Sequence, residues 1–345
     1  MIAGVSAGAI NAVFLASHRG PLSAAVDDLS KIWASLTVDQ VFRVDTRSLV
    51  GNLWQWGLRL VSGGRAIAPP LSGLLDTTQL RRTLDAAFTV GPGGEIAGIA
   101  GNLDAGRLTA LAVVTSSYTT GRSVAWVQGR DIQDWERPGR RSRQTRITVD
   151  HVMASTALPL LFPAVKLENA WYGDGGIRRT APLAAAIHLG ANRILAFSTR
   201  YRGSENEAER PQVQGYPPPM QIAGQLLNAV FLDDHDRDAL NLERINHLLE
   251  HLPPEKRRGL RVVDLVLIRP SQDIGRLAAD YEVRLPRVFR HLARSAGARE
   301  TTSPDLLSLL MFDPEYLKAL MAIGEADAEA RADDIDAILK AAPAR

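Results

Sequence analysis

The sequence predicts an α/β protein in which helices pack on a parallel or mixed sheet. Apolar residues recur at spacings of three and four along several segments and predict helices there: 9–17, 22–36, 74–88, 148–161 and 182–190. Short apolar runs rich in β-branched residues predict strands: 107–116, 122–128, 166–172, 193–198 and 260–269. Because the two kinds of segment alternate along the chain, they predict a layered α/β fold.

The first helices differ in their apolar pattern. Residues 9–17 are small and apolar on most faces, which indicates a buried helix. Residues 22–36 and 74–88 are amphipathic, and the second of these segments has a capping sequence at 76–78. We therefore expect one helix inside the fold and two on its surface.

The pattern then changes to the two-residue period of strands. The runs 107–116 and 122–128 flank Tyr118–Gly121, which predicts a hairpin. A helix over 148–161 leads to a short strand over 166–172 that ends at Gly173. These segments supply most of the expected sheet.

The remainder of the chain is divided by a proline-rich stretch. The helix over 182–190 stops at Gly190 and a buried strand follows at 193–198. Residues 201–220 are polar and then proline-rich, which predicts a loop or hinge. Beyond it the chain is mainly helical, with one more core strand at 260–269.

The composition excludes several classes of protein. The chain has 345 residues, of which 46% are hydrophobic and 23% charged, a formal net charge of +2 and no cysteine. It therefore has no disulfide framework, no cysteine-ligated zinc site and no thiol nucleophile. The near balance of charge gives no reason to expect a nucleic-acid partner. No transmembrane segment or signal peptide is visible, so we expect a cytoplasmic or peripheral membrane protein.

The first residues have the spacing of a nucleophile elbow, Gly4-x-Ser6-x-Gly8. In such an elbow a strand turns sharply into a helix, and glycines two residues before and after the serine avoid a clash. The helix amino terminus then faces the serine oxygen, and the Ala7 N–H can donate to a developing oxyanion. This pattern predicts Ser6 as a nucleophile.

A nucleophilic serine needs a base, and no histidine is singled out for that role. We interpret the seven histidines as surface or structural residues. Asp174 stands between glycines, in Gly173-Asp174-Gly175-Gly176, where the backbone can turn sharply and approach another element. The same sequence is also typical of a plain hairpin turn, so both interpretations remain open at this point.

Three segments together resemble the patatin-like phospholipase family: GVSAGAINA at 4–12, ASTALPLLFP at 154–163 and DGG at 174–176. The resemblance implies a three-layer α/β/α fold with a central, mostly parallel sheet. It also implies hydrolysis of acyl-lipid esters through an acyl-enzyme, without metal or organic cofactor. By position, Ser6 is the implied nucleophile and Asp174 the implied proton acceptor.

The resemblance is strong over residues 1–200 and extends weakly to the carboxyl terminus. We expect a patatin-like hydrolase core over 1–200, the loop over 201–220 and a helical extension over 221–345. The implied partner is a lipid or acyl-ester substrate, with peripheral membrane contact as a further expectation. The oligomeric state is left open.

One family feature has no counterpart in this sequence. The family places a strand and a glycine-rich oxyanion loop upstream of the elbow, whereas here the elbow opens the chain. The loops at 62–65 and 91–94 come after it, in the wrong order. We therefore expect a truncated core that is poorly soluble and less active than a chain carrying the upstream residues.

Two alternatives to a patatin-like enzyme follow. The chain is a lipid-binding or scaffold protein that kept the fold without the oxyanion loop, or an α/β-hydrolase with an unrecognised histidine base. The segment around Trp54 and Trp56 is a packed segment or a lid that meets lipid. The arginine-rich segment 130–146 is a solvated loop, in the simpler interpretation, or a site for anionic lipid head groups.

Overall fold

A computed structural model of the chain describes most of the residues that were expected to form the core. The described ranges are 1–42, 73–178, 182–201, 234–286 and 305–340, with a few isolated residues between them. Most of the predicted loop at 201–220 lies outside the described residues.

In the described ranges, the first strand is followed by five helices and then by four strands, and helices dominate the second half of the chain. The strands are β1 (Ile2–Val5), β2 (Ala110–Ser117), β3 (Ser123–Gly129), β4 (Glu136–Arg137), β5 (Arg140–Gln144), β6 (Val165–Leu167), β7 (Ala170–Asp174), β8 (Arg193–Phe197) and β9 (Asp264–Ile268). The helices are α1 (Ala7–Ser17), α2 (Leu22–Ser35), α3 (Val38–Val41), α4 (Thr78–Ala87), α5 (Ile99–Asp104), α6 (Val149–Ser155), α7 (Pro182–His188), α8 (Asp234–Glu250), α9 (Ile274–Asp280), α10 (Asp305–Ser308), α11 (Pro314–Glu329) and α12 (Ala332–Lys340).

The main sheet has seven strands and mixed pairing. Its order is β4-β5-β3-β2-β7-β6, and β1 also pairs with β2. The β1–β2 and β3–β5 pairs are parallel, whereas the other pairs in this sheet are antiparallel. Tight hairpins such as β2–β3 require antiparallel pairing, which is why the sheet is mixed. β8 and β9 form a separate parallel pair.

Helices cover both faces of the sheet. On one face, α1, α4 and α6 enclose the larger core, in which Trp126 and Val113 are fully buried. On the other face, Ala185 of α7 packs with Ala112 and Val114 of β2. The central strand β2 is buried along its whole length, as expected of a strand that is covered on both sides. The predicted three-layer α/β/α class is confirmed.

Two predicted elements near the candidate base have different bounds in the structure. The helix predicted over 148–161 ends at Ser155, because the following segment contains Pro159 and a left-handed Leu160 with φ 65°. The single strand predicted over 166–172 is a hairpin of β6 and β7, which turns at Glu168 with φ 52°. A polar residue in the left-handed region can make such a turn without glycine.

β1 and β7 lie end to end along the same edge of β2. β1 runs parallel to β2, and Val5 is in register with Val114. β7 runs in the opposite direction, and Asp174 is in register with Thr115. The carboxyl ends of the two strands therefore meet at neighbouring positions of β2.

Gly175 allows the end of β7 to approach β2 closely. A Cβ atom at this position would lie only 2.4 Å from the carbonyl oxygen of Val114. The close approach predicted for this glycine is confirmed, and the backbone oxygen cannot move aside without breaking the sheet.

We predict that Gly175→Ala lowers the free energy of unfolding by about 1–3 kcal/mol, as overpacking of a close contact does. Chemical denaturation measures this change. Gly324→Ala is the matched control, because a Cβ in that part of α11 meets nothing within 4 Å. The control is expected to keep or slightly raise stability. An unchanged midpoint for Gly175→Ala would contradict the close approach.

Candidate active site

Ser6 occupies the turn between β1 and α1. Its backbone has φ 54° and ψ −131°, a conformation that is strained for a residue with a side chain. Its carbonyl oxygen accepts a hydrogen bond from the N–H of Ala9 at 2.8 Å and thereby starts the helix. The strand, the strained serine and the helix follow one another as an elbow requires.

The two glycines of the elbow have different roles. A Cβ on Gly4 would lie 2.2 Å from the carbonyl oxygen of Gly8 and 2.8 Å from the Cβ of Ala12, so β1 and α1 leave no room there. A Cβ on Gly8 would meet nothing within 4 Å. The prediction that both glycines avoid a clash is therefore confirmed for Gly4 and wrong for Gly8, because Gly8 lies on the exposed side of the helix start.

Ser155 ties the elbow to the centre of the sheet. Its buried hydroxyl donates to the carbonyl oxygen of Val114 at 2.7 Å and accepts the N–H of Ser6 at 3.1 Å. Sequence reasoning gave Ser155 no role, although it lies within the stretch that carries the family resemblance. The Ser6 amide is thus occupied, whereas the amides of Ala7 and Gly8 have no partner among the described residues.

Asp174 is completely buried at the end of β7. Its Oδ1 accepts the N–H of Gly176 at 2.8 Å, and its own N–H donates to the carbonyl oxygen of Ala157 at 2.9 Å. The chain continues into a 3₁₀ turn over Gly175–Arg178, so the plain hairpin turn considered for this sequence is wrong. Within the described part of the chain, Asp174 Oδ2 has no hydrogen-bond partner.

Burial raises the pKa of Asp174 to about 6, because the charged carboxylate loses its hydration. The Gly176 amide and then the Ser6 hydroxyl act in the opposite direction by donating toward the carboxylate. The hydroxyl of Ser6 is therefore close to the carboxylate, although no complete hydrogen bond joins the two side chains.

The register explains why these two side chains share one face of the sheet. Asp174 is opposite Thr115, whose hydroxyl accepts a hydrogen bond from the buried indole of Trp126 in the larger core. Gly4 faces α1 on that same side, and Ser6 is two residues farther along. Both candidate residues therefore face the layer that contains α1.

The described histidines lie in structural or surface positions. His151 is buried, which lowers its pKa to about 4, and its ring packs against Trp126 while its Nδ1 accepts the Thr148 N–H. His188 stacks on Trp135 with ring centroids 4.3 Å apart. No described histidine side chain makes a hydrogen bond or ion pair with Ser6 or Asp174.

The other segments that the sequence singled out either lie away from the elbow or fall outside the described residues. Trp54, Trp56 and the glycine loop at 62–65 fall outside the described residues. The loop at 91–94 is a turn in which the Gly91 N–H donates to the Glu95 carbonyl oxygen at 2.8 Å. No hydrogen bond joins the described residues of this turn to the elbow.

The segment 130–146, for which a solvated loop is the simpler interpretation, forms strands at seven of its seventeen residues. It contributes β4 and β5 to the sheet, because Ser142 turns inward and its N–H donates to the carbonyl oxygen of Trp135 at 2.9 Å. Arg130 pairs with Asp104 at 2.6 Å. An open surface cavity of about 320 Å³ lies at this edge, and neither Ser6 nor Asp174 lines it.

The described ranges contain neither a membrane-spanning helix nor a cluster of metal-binding side chains. No helix there combines the length and the apolar character needed to cross a bilayer. No group of three or more histidine, aspartate or glutamate side chains in those ranges is placed to hold a metal ion.

The fold and the elbow define an α/β protein with a strand–serine–helix turn beside a buried carboxylate. The family model described as patatin-like phospholipase matches residues 1–187, which is more than half of the chain. The chain therefore belongs to the patatin-like phospholipase family, a family of lipid acyl hydrolases. None of the curated proteins compared with this chain matches it.

We predict opposite outcomes for alanine at the two elbow glycines. Gly4→Ala is expected to lower the free energy of unfolding by about 3 kcal/mol, because the new Cβ collides with backbone. Gly8→Ala is expected to change it by no more than about 0.5 kcal/mol. Urea denaturation of both variants tests the difference, and equal losses at the two positions would contradict the geometry described for the elbow.

Proposed function

We propose that this protein is a serine acyl-ester hydrolase that acts on lipids, with Ser6 as nucleophile and Asp174 as proton acceptor. The observation that carries the proposal is the fully buried Asp174 carboxylate, whose unpartnered Oδ2 lies at the side of the sheet that Ser6 faces. A buried carboxylate without a salt-bridge partner is costly, and such sites are typically functional.

In the acylation step, the Ser6 oxygen attacks the ester carbonyl carbon while the hydroxyl proton moves to Asp174. An ordinary carboxylate is a weak base for an alcohol, and the pKa of about 6 makes Asp174 a stronger one. The electron pair of the carbonyl bond moves to oxygen as the tetrahedral intermediate forms. The Ala7 N–H and the amino terminus of α1 stabilise that oxyanion.

In the second half of the reaction, the intermediate collapses to an acyl-enzyme. The leaving alcohol takes the proton from Asp174 as its bond to carbon breaks. Water then attacks the acyl carbon, its proton moves to Asp174, and Ser6 regains a proton when the carboxylic acid leaves. One serine and one carboxylate thus cleave first the substrate ester and then the acyl-enzyme ester, without a cofactor.

A lipid-binding or scaffold protein is the second candidate function. One observation favours it: the Ser6 amide is already bound by Ser155, which leaves the amides of Ala7 and Gly8, unpartnered among the described residues, as the candidate donors of the elbow. Removing one oxyanion donor commonly lowers turnover about 10²–10³-fold. Covalent labelling and turnover separate the two functions.

We predict that a fluorophosphonate probe labels Ser6. The strained elbow and the helix amino terminus should activate this hydroxyl, so Ser6→Ala is expected to abolish labelling, as measured by intact-mass spectrometry. Ser35→Ala, at the exposed end of α2, is the control and should be labelled like the parent. Labelling that persists in Ser6→Ala would assign the nucleophile to another residue.

We predict that Asp174→Asn lowers kcat/KM for a short-chain nitrophenyl ester by about 10²–10⁴-fold. In the parent, kcat/KM should rise with pH around a midpoint near 6, because only the ionised carboxylate accepts a proton. Asp85→Asn, on the exposed side of α4, is the matched control. Circular dichroism verifies the fold, and a histidine variant that loses turnover while folded would point to a histidine base instead.

A further inference from the structure

Two exposed aromatic side chains lie on one face of the sheet near its end. Tyr118, which follows β2, is 47% exposed, and Trp171 in β7 is 51% exposed. The Tyr118 N–H donates to the Trp171 carbonyl oxygen at 2.9 Å, and the Trp171 N–H donates to Thr119 Oγ1 at 2.9 Å. Residues opposite each other on neighbouring strands share a face, so the phenol and the indole form one patch.

Two basic side chains lie on the same face, one directly beside this pair and the other two strands away from β2. Lys166 in β6 is directly opposite Trp171. On the other side, Arg140 in β5 is in register with Ser123, and the β2–β3 register places Ser123 on the face of Tyr118. Among the described residues, neither Lys166 nor Arg140 forms an ion pair with a carboxylate.

The nearby carboxylates are already paired with other arginines. Glu136 pairs with Arg122, and Glu168 pairs with Arg143 at 2.7 Å. Arg137, at the turn beside Arg140, is exposed and has no carboxylate partner in the described ranges. This end of the sheet therefore carries an excess of positive charge around its exposed aromatic pair.

The patch lies at the same end of the sheet as the candidate active site. Trp171 precedes Asp174 by three residues, about 10 Å along the strand. Burial raises the pKa of Tyr118 and the charge of Asp174 raises it further, as expected of neighbouring groups. β1 and β2 both end here, and Ser6 follows β1 directly. The patch and Ser6 therefore lie at the same end of the sheet, on opposite faces.

We propose that Tyr118, Trp171, Lys166 and Arg140 form a docking surface for a bilayer that contains anionic lipid. We call these four residues the aromatic–basic surface. Tryptophan and tyrosine favour the membrane–water interface, where the ring is buried and its polar group stays hydrated. Lysine and arginine are attracted by anionic head groups. The inference rests on the proposed function for its choice of a lipid partner.

The surface would hold the protein with its sheet end toward the bilayer. Side chains alternate between the two faces of the sheet along β7, so Trp171 and Asp174 face opposite sides. The bilayer contact is made on one side, and the reaction takes place on the side of α1. With this end of the sheet toward the bilayer, Ser6 lies at the bilayer-facing end, and the aromatic residues stay outside the catalytic side of the sheet.

The test is sedimentation of the full chain with vesicles of ether-linked phosphatidylcholine, with or without ether-linked phosphatidylglycerol. Ether lipids have no carboxylic ester, so binding is measured independently of hydrolysis, and its failure is distinct from failure of the proposed reaction. Lys166→Gln combined with Arg140→Gln is expected to weaken binding to the anionic vesicles about 10-fold or more. Trp171→Ala is expected to weaken binding to both kinds of vesicle about 10-fold.

Matched controls separate this surface from general charge and hydrophobicity. Lys256→Gln with Arg258→Gln removes the same charge from the loop before β9, and Leu339→Ala removes an exposed apolar side chain from α12. Both controls should bind like the parent. Tyr118→Ser is the second aromatic variant if Trp171→Ala does not fold.

Unchanged vesicle binding in all the surface variants would overturn the proposal. The proposal is also overturned if the surface variants lose binding only to a soluble polyanion such as heparin, because the basic side chains would then bind an acidic macromolecule. Selective loss of vesicle binding in the surface variants, with retained circular dichroism, supports it.

Discussion

The rest of the site depends on one edge of β2 that two strands share. β1 approaches along this edge from one direction and β7 from the other, and they meet opposite Val114 and Thr115. Backbone hydrogen bonds hold both strands, so neither end can drift independently. Ser155 adds a bridge between the elbow and the Val114 carbonyl. A residue just after β1 and a residue at the end of β7 are therefore held as neighbours, which is how Ser6 and Asp174 come together.

The same arrangement determines the electrostatics of the carboxylate. Packing between β2, α6 and the elbow removes water from Asp174, and its pKa rises from 3.8 to about 6. Because the folded pKa is above the unfolded value, this group contributes stability below about pH 4, which is lost as pH rises through about 6. The burial that raises the pKa of Asp174 therefore also lowers the stability of the fold at neutral pH.

Local pattern was enough to predict much of the fold and the candidate residues. The helix after Ser6, the β2–β3 hairpin and the helix over 182–190 all appear near their predicted bounds. Each depends on the period of apolar residues or on turn residues, which act over a few positions of chain. The sequence also indicated the elbow and the glycines around Asp174. Their assignment to one site came from resemblance to a family, since spacing in the chain could not bring them together.

Contacts between distant segments decided what the sequence left open. Ser155 binds the Ser6 amide across 149 positions of chain, and no local pattern marks it for that role. Gly8 has room for a side chain, whereas Gly4 has none, because only the inner side of the elbow touches α1. The sequence by itself determined the elements, the elbow and the candidate serine and aspartate. Only the tertiary structure decided their proximity and the burial of Asp174, because both follow from pairing β1 and β7 with one edge of β2.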